Sequence, residues 1–254
     1  MAEHRFHTPD PVELEVEIPA GAVHVETIDG DEAFVSVTGN EKLVEQTRVE
    51  LDHGRLLVEF RGKKPFGITI AIGDFSFGNS NGLEVRARIP HASRANLRTA
   101  AADMTLRGRY ESLEAKSAAG DLRVEGAIER DAVVKTVSGD VRLDRVGGGL
   151  RVNSVSGDVN VASVGSSVEA RSVSGDVHID SVCEGTVHVQ SVSGDIEVGV
   201  APGTNLDVDA GSVSGDLSSE VALGSDRAAE LADGPTLVLR GKTVSGDFRV
   251  FRAA

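Results

Sequence analysis

The fold is decided by residues 150–176, which read Leu-Arg-Val-Asn-Ser-Val-Ser-Gly-Asp-Val-Asn-Val-Ala-Ser-Val-Gly-Ser-Ser-Val-Glu-Ala-Arg-Ser-Val-Ser-Gly-Asp. The pentapeptide Ser-Val-Ser-Gly-Asp occurs twice in this stretch, with its two glycines 18 residues apart. It recurs on both sides of the stretch with Ser or Thr at its first position. The six copies are Thr136–Asp140, Ser154–Asp158, Ser172–Asp176, Ser191–Asp195, Ser212–Asp216 and Thr243–Asp247.

The spacing of the copies is close to regular. Two weaker copies, Ser117–Asp121 and Thr99–Asp103, precede the six. From Gly120 onward, successive glycines are separated by 19, 18, 18, 19, 21 and 31 residues. A period of this length is typical of a solenoid, in which each coil covers the open face of its neighbour. The predicted corner residues are Gly120, Asp121, Gly139, Asp140, Gly157, Asp158, Gly175, Asp176, Gly194, Asp195, Gly215, Asp216, Gly246 and Asp247.

Hydrophobic and polar residues alternate on both sides of each pentapeptide. Leu150, Val152 and Ser154 point to one face of a strand, and Val159 and Val161 resume that face after the turn. A third side of the coil is predicted near one valine per repeat: Val146, Val164 and Val182. We therefore predict an all-β, single-domain β-solenoid with coils of about 18–20 residues, stacked about 4.8 Å apart.

The Gly-Asp step predicts a tight corner. Glycine adopts a backbone conformation that a residue with a Cβ resists, and Asp or Ser can accept hydrogen bonds from amides of its own turn. Stacking would align the second Ser of each pentapeptide in one ladder and the Asp in another. Such a carboxylate ladder repels itself unless amides, hydroxyls or a cation compensate the charge. We favour the turn role over a calcium site, and we predict no metal or cofactor.

The N-terminal third is predicted to be a divergent start to the same solenoid, covering residues 12–98 and preceded by a disordered arm at 1–11. Val12–Ile18 and Leu83–Ile89 both alternate and are followed by proline, which is expected to end each strand at a corner. We interpret the two as copies of one element. Hairpin excursions are predicted at residues 34–38, 48–52 and 55–61. A separate small β domain is the alternative.

The regular repeats are predicted to span residues 99–254, and two segments of the chain depart from the repeat pattern. Residues 65–82 contain one charge and three of the nine aromatic residues. We predict a strand that covers an end of the solenoid, with an exposed interaction segment as the alternative. The 31-residue step predicts an insertion around residues 218–241, with a short surface helix or loop inside it.

Composition excludes several classes of protein. The chain has 254 residues, a net charge of −14 and one Cys. The acidic excess argues against a nucleic-acid partner, because a phosphate backbone is bound through Lys and Arg. One Cys excludes a disulfide framework and a multi-cysteine metal cluster. No apolar run is long enough to span a bilayer and no secretory signal is visible, so we expect a cytoplasmic protein. Residues 172–239 carry −11 of the charge, which predicts a solvated acidic surface.

The sequence predicts no catalytic site. The seven His residues lack the spacing of a metal-ligand motif, and the Ser-Gly-Asp repeats do not form a nucleophile elbow. Cys183 follows Val182 and is predicted to be a small buried filler. Because some parallel β-helices carry carboxylate-rich sites that cleave polysaccharides, a carbohydrate-active enzyme is the least favoured alternative.

The Val-Ser-Gly-Asp-Val-x-Val repeats, with strand–Pro–strand segments at Ile18-Pro19 and Ile89-Pro90, resemble the bacterial putative-adhesin family of β-strand-repeat proteins. The resemblance covers residues 12–251 and is strongest over residues 117–216. It implies a single-sheeted β-solenoid with no known enzymatic activity, and no site residue follows from it. We expect a non-enzymatic interaction or scaffold module that binds an unknown protein partner or a second copy of itself. The alternatives are a self-assembling structural protein and a cation-binding protein that uses the Gly-Asp ladder.

Overall fold

Strands make up most of the protein. The computed structural model describes residues 1–62, 82–220 and 234–253. In those residues twenty strands form one continuous sheet, accompanied by one short helix. None of the described helical residues forms a segment long and apolar enough to cross a membrane. The all-β solenoid predicted from the repeats is confirmed.

The first eight elements lie before residue 120. The sheet wraps around the solenoid, so single strands can continue through a corner; the longest of them covers 27 residues and more than one full coil. The elements are β1 (Ala2–His7), β2 (Glu13–Ile28), β3 (Glu32–Thr38), α1 (Glu41–Glu45), β4 (Thr47–Asp52), β5 (Arg55–Phe60), β6 (Leu83–Pro90) and β7 (Ser93–Ala119).

The remaining strands cover three to eight residues each and alternate between the two sides of each corner. They are β8 (Leu122–Ile128), β9 (Ala132–Lys135), β10 (Val141–Val146), β11 (Leu150–Asn153), β12 (Val159–Val164), β13 (Val168–Arg171), β14 (Val177–Val182), β15 (Gly185–Gln190), β16 (Ile196–Val200), β17 (Asn205–Ser212), β18 (Leu217–Ser219), β19 (Thr236–Thr243) and β20 (Phe248–Arg252).

Each coil of the repeat region consists of one strand before the corner and one after it. We call the strands before the corners the leading row (β9, β11, β13, β15, β19, β17) and those after them the trailing row (β8, β10, β12, β14, β16, β20, β18). Both rows are parallel and in register, so that Leu150 pairs with Val168 and Val159 with Val177. The inward side chains are almost all Val, Leu and Ile, and they form one continuous core.

The third side of the coil is a short continuation of the trailing strand. The register of β10 against β8 shifts between Leu143 and Arg145, and β10 exposes two consecutive residues there. After this bend the chain turns inward again. The three valines predicted for this side are all fully buried: Val146, Val164 and Val182.

The order of the coils in space differs from their order in the chain at the C-terminal end. β19 lies between β15 and β17, and β20 lies between β16 and β18. The last coil in the sequence is therefore the second to last in the stack. The outermost coil at this end is formed by residues 205–219.

The N-terminal end shows the same arrangement. β2 pairs with β7 on one side, and on its other side with β5 through residues 13–17 and with β6 through residues 21–28. Residues 12–18 and 83–89 thus lie on different sides of the solenoid, so the prediction that they are equivalent copies was wrong. Pro19 lies inside β2, at the point where its pairing passes from β5 to β6, and marks a corner without ending the strand.

The N-terminal arm and the strands next to it differ from the prediction. Residues 2–7, expected within a disordered arm, form β1, because they find an antiparallel partner in β3. β3 in turn pairs with β6, and β4 forms an antiparallel hairpin with β5, so antiparallel strands cover this end of the stack. The helix α1 was not predicted; Asn40 caps it by accepting a hydrogen bond from the Lys42 amide.

The predicted insertion around residues 218–241 is partly wrong. Its second half belongs to β19, where Leu237 and Leu239 alternate inward and are fully buried, because the segment stacks as a regular coil against β15. The helix or loop predicted within it falls on residues 221–233, which lie outside the described residues. The same holds for all but the last residue of the 65–82 segment.

Candidate functional site

The Ser-Gly-Asp corners form one continuous hydrogen-bonded ladder along the solenoid. At each step the backbone N–H of one Asp donates to Oδ1 of the Asp in the preceding coil, over 2.8–3.0 Å. In spatial order the ladder consists of Asp103, Asp121, Asp140, Asp158, Asp176, Asp195, Asp247 and Asp216. The weak sequence copy at residues 99–103 therefore serves as a full member.

The amide that each carboxylate accepts from lies in the next coil. This corrects the expectation that Asp would bond the amides of its own turn, because stacking brings the next Asp N–H closer to the carboxylate. In three of the six copies the turn's own amide is held by the first residue of the pentapeptide, whereas Ser212 and Thr243 donate to a glycine carbonyl of the neighbouring coil. The Gly157 amide donates to Ser154 Oγ at 3.1 Å, and Thr136 and Ser172 do the same for their glycines.

The corner glycines are required by space. A Cβ on Gly157 would lie 2.0 Å from the carbonyl oxygen of Gly139 in the preceding coil, and the other five corners give 1.9–2.4 Å. Their φ angles are not positive, with the exception of Gly120 in the weaker copy (φ +111°). The conformational reason predicted for these glycines was wrong, and close backbone approach replaces it.

The valine of each pentapeptide faces outward and was missed by the sequence analysis. We call this set the valine ridge; its members are between 44% and 82% exposed. It consists of Val137, Val155, Val173, Val192, Val244 and Val213. Strict alternation could have found it, because an inward Ser154 places Val155 outward.

The second Ser of the pentapeptide holds neighbouring coils together. The Ser156 amide donates to the Val137 carbonyl at 2.8 Å, and its hydroxyl donates to the same oxygen at 3.2 Å. The amides of Ser193 and Ser245 repeat this contact in later coils. Four of the five positions of the motif therefore have a structural role, since two shape the turn and two join the coils, while the side chain of the fifth, the valine, is displayed outward.

Metal binding by the ladder gains no support from this geometry. In residues 1–62, 82–220 and 234–253, no three His, Cys, Asp or Glu side chains are placed to hold a metal ion. Each ladder carboxylate except the terminal Asp216 already uses Oδ1 to accept an amide. Neutralisation by backbone dipoles accounts for the stacked negative charge.

Cys183 and a surface hollow are two further candidates for a binding or reactive role. Cys183 is exposed, so its predicted role as a buried filler was wrong; Val182 beside it fills the core instead. A hollow of about 160 Å³ lies where the ladder meets the trailing row, lined on its polar side by Asp121, Arg123 and Arg142. This is smaller than the volume of roughly 300 Å³ or more that small-molecule sites usually have.

A polar cluster on the trailing row joins the C-terminal coil to its neighbours. His178 lies between two carboxylates, with Nδ1 2.7 Å from Glu197 and Nε2 2.6 Å from Asp180, and its ring stacks on Phe251 at 5.9 Å. Arg249 on β20 bonds Glu197 in turn. The cluster ties β14, β16 and β20 together.

The architecture agrees with one known family. A family model described as Toastrack DUF4097 matches residues 13–251, which is nearly the whole chain. The chain belongs to the Toastrack DUF4097 family. The resemblance to putative adhesins that the repeats indicated is confirmed at this level. No curated protein matches the chain.

Two solved structures are similar to this Toastrack protein in fold. One is a putative adhesin from Bacteroides fragilis, with a TM-score of 0.60 and 12% identity, covering 98% of this chain and 96% of that one. The other is a putative lipid binding protein from Parabacteroides distasonis, with a TM-score of 0.62, 16% identity and the same coverage. At these identities the likeness shows the fold alone.

Proposed function

We propose that this Toastrack protein is a non-catalytic, adhesin-like interaction scaffold. The observation that carries the proposal is the use of the repeated motif. Its Asp and its second Ser, which in other proteins can serve as metal ligands or nucleophiles, hold one coil to the next, and its first Ser or Thr and its Gly shape the turn. The structure of the corner thus accounts for the repeated motif, and no catalytic role is needed to explain it.

The faces of the solenoid supply the binding surface in this proposal. Outward side chains of the leading and trailing rows stand in straight lines, one per coil, at the strand spacing of about 4.8 Å. Repeat proteins with such extended surfaces commonly bind partners along them. The relatives named as a putative adhesin and a putative lipid binding protein agree with a binding role.

The proposal is tested by binding and turnover in one experiment. The purified chain is immobilised and exposed to a panel of proteins, neutral and acidic glycans, and lipid vesicles, and each bound ligand is eluted and weighed by mass spectrometry. We expect saturable binding of at least one class, with the ligand recovered at unchanged mass. A cleaved or chemically modified ligand would show that the protein is an enzyme. The absence of binding across the whole panel would contradict the proposed scaffold function.

Self-association is a second candidate, favoured by one end of the stack. Within the residues described, β17 and β18 have a strand neighbour on one side only, and Val213 and Leu217 at this end are 82% and 49% exposed. Exposed strand edges pair readily with other chains. The opposite end is covered by antiparallel strands.

Light scattering coupled to size exclusion tests this candidate. If the open end associates, the mass of the wild-type chain rises with concentration, and Val213→Asp with Leu217→Asp restores the monomer. A monomeric mass that stays constant across the concentration range rejects self-association and leaves the binding scaffold intact.

A further inference from the structure

A line of cationic and amide side chains runs along the leading row of this acidic protein. We call it the cationic row: Arg98, Lys116, Lys135, Asn153, Arg171, Gln190 and Lys242. The pairing of β7, β9, β11, β13, β15 and β19 places these residues in register from Lys116 to Lys242. Arg98 holds the same position one coil earlier, directly before its corner, as Lys116 does. Every member of the row carries N–H donors at its tip, and none of them is acidic.

Only part of the row is paired within the described part of the protein. Lys116 and Lys135 are registered neighbours, and like charges on adjacent strands destabilise a sheet. Lys135 and Lys242 are exposed, and neither forms an ion pair with any described residue. A surface that places cations side by side at a cost to stability is typical of a site for an anionic ligand.

Acidic neighbours reduce the positive charge only in part. Glu114 pairs with Lys116, and Glu169 pairs with Arg171 and with Arg151. At the C-terminal end Asp209 stands opposite Arg240 on the adjacent strand. The six strands of the leading row, β9, β11, β13, β15, β19 and β17, carry five cations against three carboxylates, although the whole chain carries −14.

The surroundings of the row limit the shape of the ligand. The valine ridge lies two residues further along each coil, so an apolar line borders the cationic one. The Asp ladder follows three residues after the ridge and presents a line of carboxylates. A flat anionic membrane that reached the row and the ridge would also meet these carboxylates, whereas a narrow chain lying along the row would not.

The coil spacing selects among narrow anionic chains. On one face of an extended peptide, side chains recur every two residues, at about 6.8 Å, which does not match the coil spacing of about 4.8 Å. In an extended, twofold linear polyuronate each sugar ring carries one carboxylate and successive rings turn to opposite sides, so carboxylates on one face recur every second ring, a distance close to two coil spacings of about 9.6 Å. Lys135, Arg171 and Lys242 also stand two coils apart. Sugar rings also present C–H faces that can pack on the valine ridge.

We propose that the cationic row, bordered by the valine ridge, binds a linear acidic polysaccharide with its chain parallel to the solenoid axis. This rests on the proposed scaffold function and names its ligand class. The carboxylates on one face of the chain bind Lys135, Arg171 and Lys242, and Asn153 and Gln190 donate to oxygens of the sugars between them.

The test uses polygalacturonate as the probe, with its fully methyl-esterified form as an uncharged control of the same backbone. Isothermal titration measures both, at low and at raised salt. We expect saturable binding of polygalacturonate that weakens with salt, and at least tenfold weaker binding of the ester. Lys135→Gln with Lys242→Gln should weaken polygalacturonate binding about tenfold.

A matched control variant removes two cations from the other row. Arg142→Gln with Arg145→Gln changes exposed trailing-row residues and should leave the affinity within about twofold; thermal melts check that both variants are folded. Equal loss in both variants, equal binding of the ester, or no binding of polygalacturonate overturns the proposal. Tighter binding of poly-glutamate or phosphatidylserine vesicles also overturns it but leaves the scaffold function standing.

Discussion

The backbone N–H of Asp247 donates to Oδ1 of Asp195, which lies 52 residues earlier in the chain, over 2.8 Å. Asp216, although it comes between them in sequence, donates to Asp247 and ends the ladder. The C-terminal coil therefore lies between two coils that precede it in the chain. Near the other end, β2 lies between strands that follow it in the chain, with β7 on one side and β5 and β6 on the other.

Paired cysteines test this coil order in a Cys183→Ser background. Gln190→Cys with Lys242→Cys joins registered partners on β15 and β19, and we expect a disulfide on mild oxidation, because adjacent strands match the Cα separation of a disulfide. Gln190→Cys with Gly211→Cys spans two strand spacings, about 9.6 Å, and should stay reduced. Non-reducing electrophoresis with thiol titration reads both. The reverse outcome would show coils stacked in chain order.

Gly157→Ala should destabilise the protein by at least about 2 kcal/mol, because its Cβ would lie 2.0 Å from the Gly139 carbonyl oxygen and force two coils apart. Gly211→Ala is the matched control, since a Cβ there meets nothing within 4 Å and φ is not positive. We expect a change within about 0.5 kcal/mol for the control. Urea unfolding measures both, and similar losses would contradict the steric role of the corner.

Asp158→Ala removes the acceptor of the Asp176 amide and should cost about 1 kcal/mol of unfolding free energy. Asp158→Asn keeps an acceptor oxygen and removes one charge from the ladder, so it should cost less than the alanine variant. Hydrogen exchange of the Asp176 amide, compared among the three proteins, separates the two effects. Faster exchange in the asparagine variant than in the alanine variant would contradict the ladder.

Tyr110 predicts a pH dependence at the alkaline end. Its hydroxyl donates to the Val25 carbonyl at 2.8 Å inside the core, and burial raises the pKa of this phenol far above its ordinary value of 10.0. The folded state therefore favours the neutral phenol. Its contribution to stability is complete below about pH 10 and declines as the pH rises above that value, where the unfolded chain ionises.

Ultraviolet absorbance reads this directly, because Tyr110 is the only tyrosine and the chain has no Trp. We expect no tyrosinate signal in the folded protein at about pH 10.5, and titration near pH 10 in urea. Tyr110→Phe should lower the unfolding free energy at neutral pH by about 1 kcal/mol. Half ionisation of the folded protein at about pH 10 would show that the ring is not enclosed.

Interactions within one coil, or between two similar coils, were predictable from the residues. The period, the inward valines and the Ser and Asp ladders all follow from local alternation and from stacking like on like. The exposed valine ridge was within reach by the same reasoning at Ser154 and Val155. β1 was missed because its partner strand β3 is distant in the chain, and the segment alone shows no feature that excludes disorder.

The amino-acid sequence by itself determined the coil: its length, its core, and the chemistry of its corner. Only the tertiary structure decided the order of the coils and the alignment of the cationic row across Lys116, Lys135 and Lys242. The physical reason is that near-identical corners bond to one another equally well in any order. The order, and with it the surface that the coils present, is set by the connections and the end packing, which the repeat does not encode.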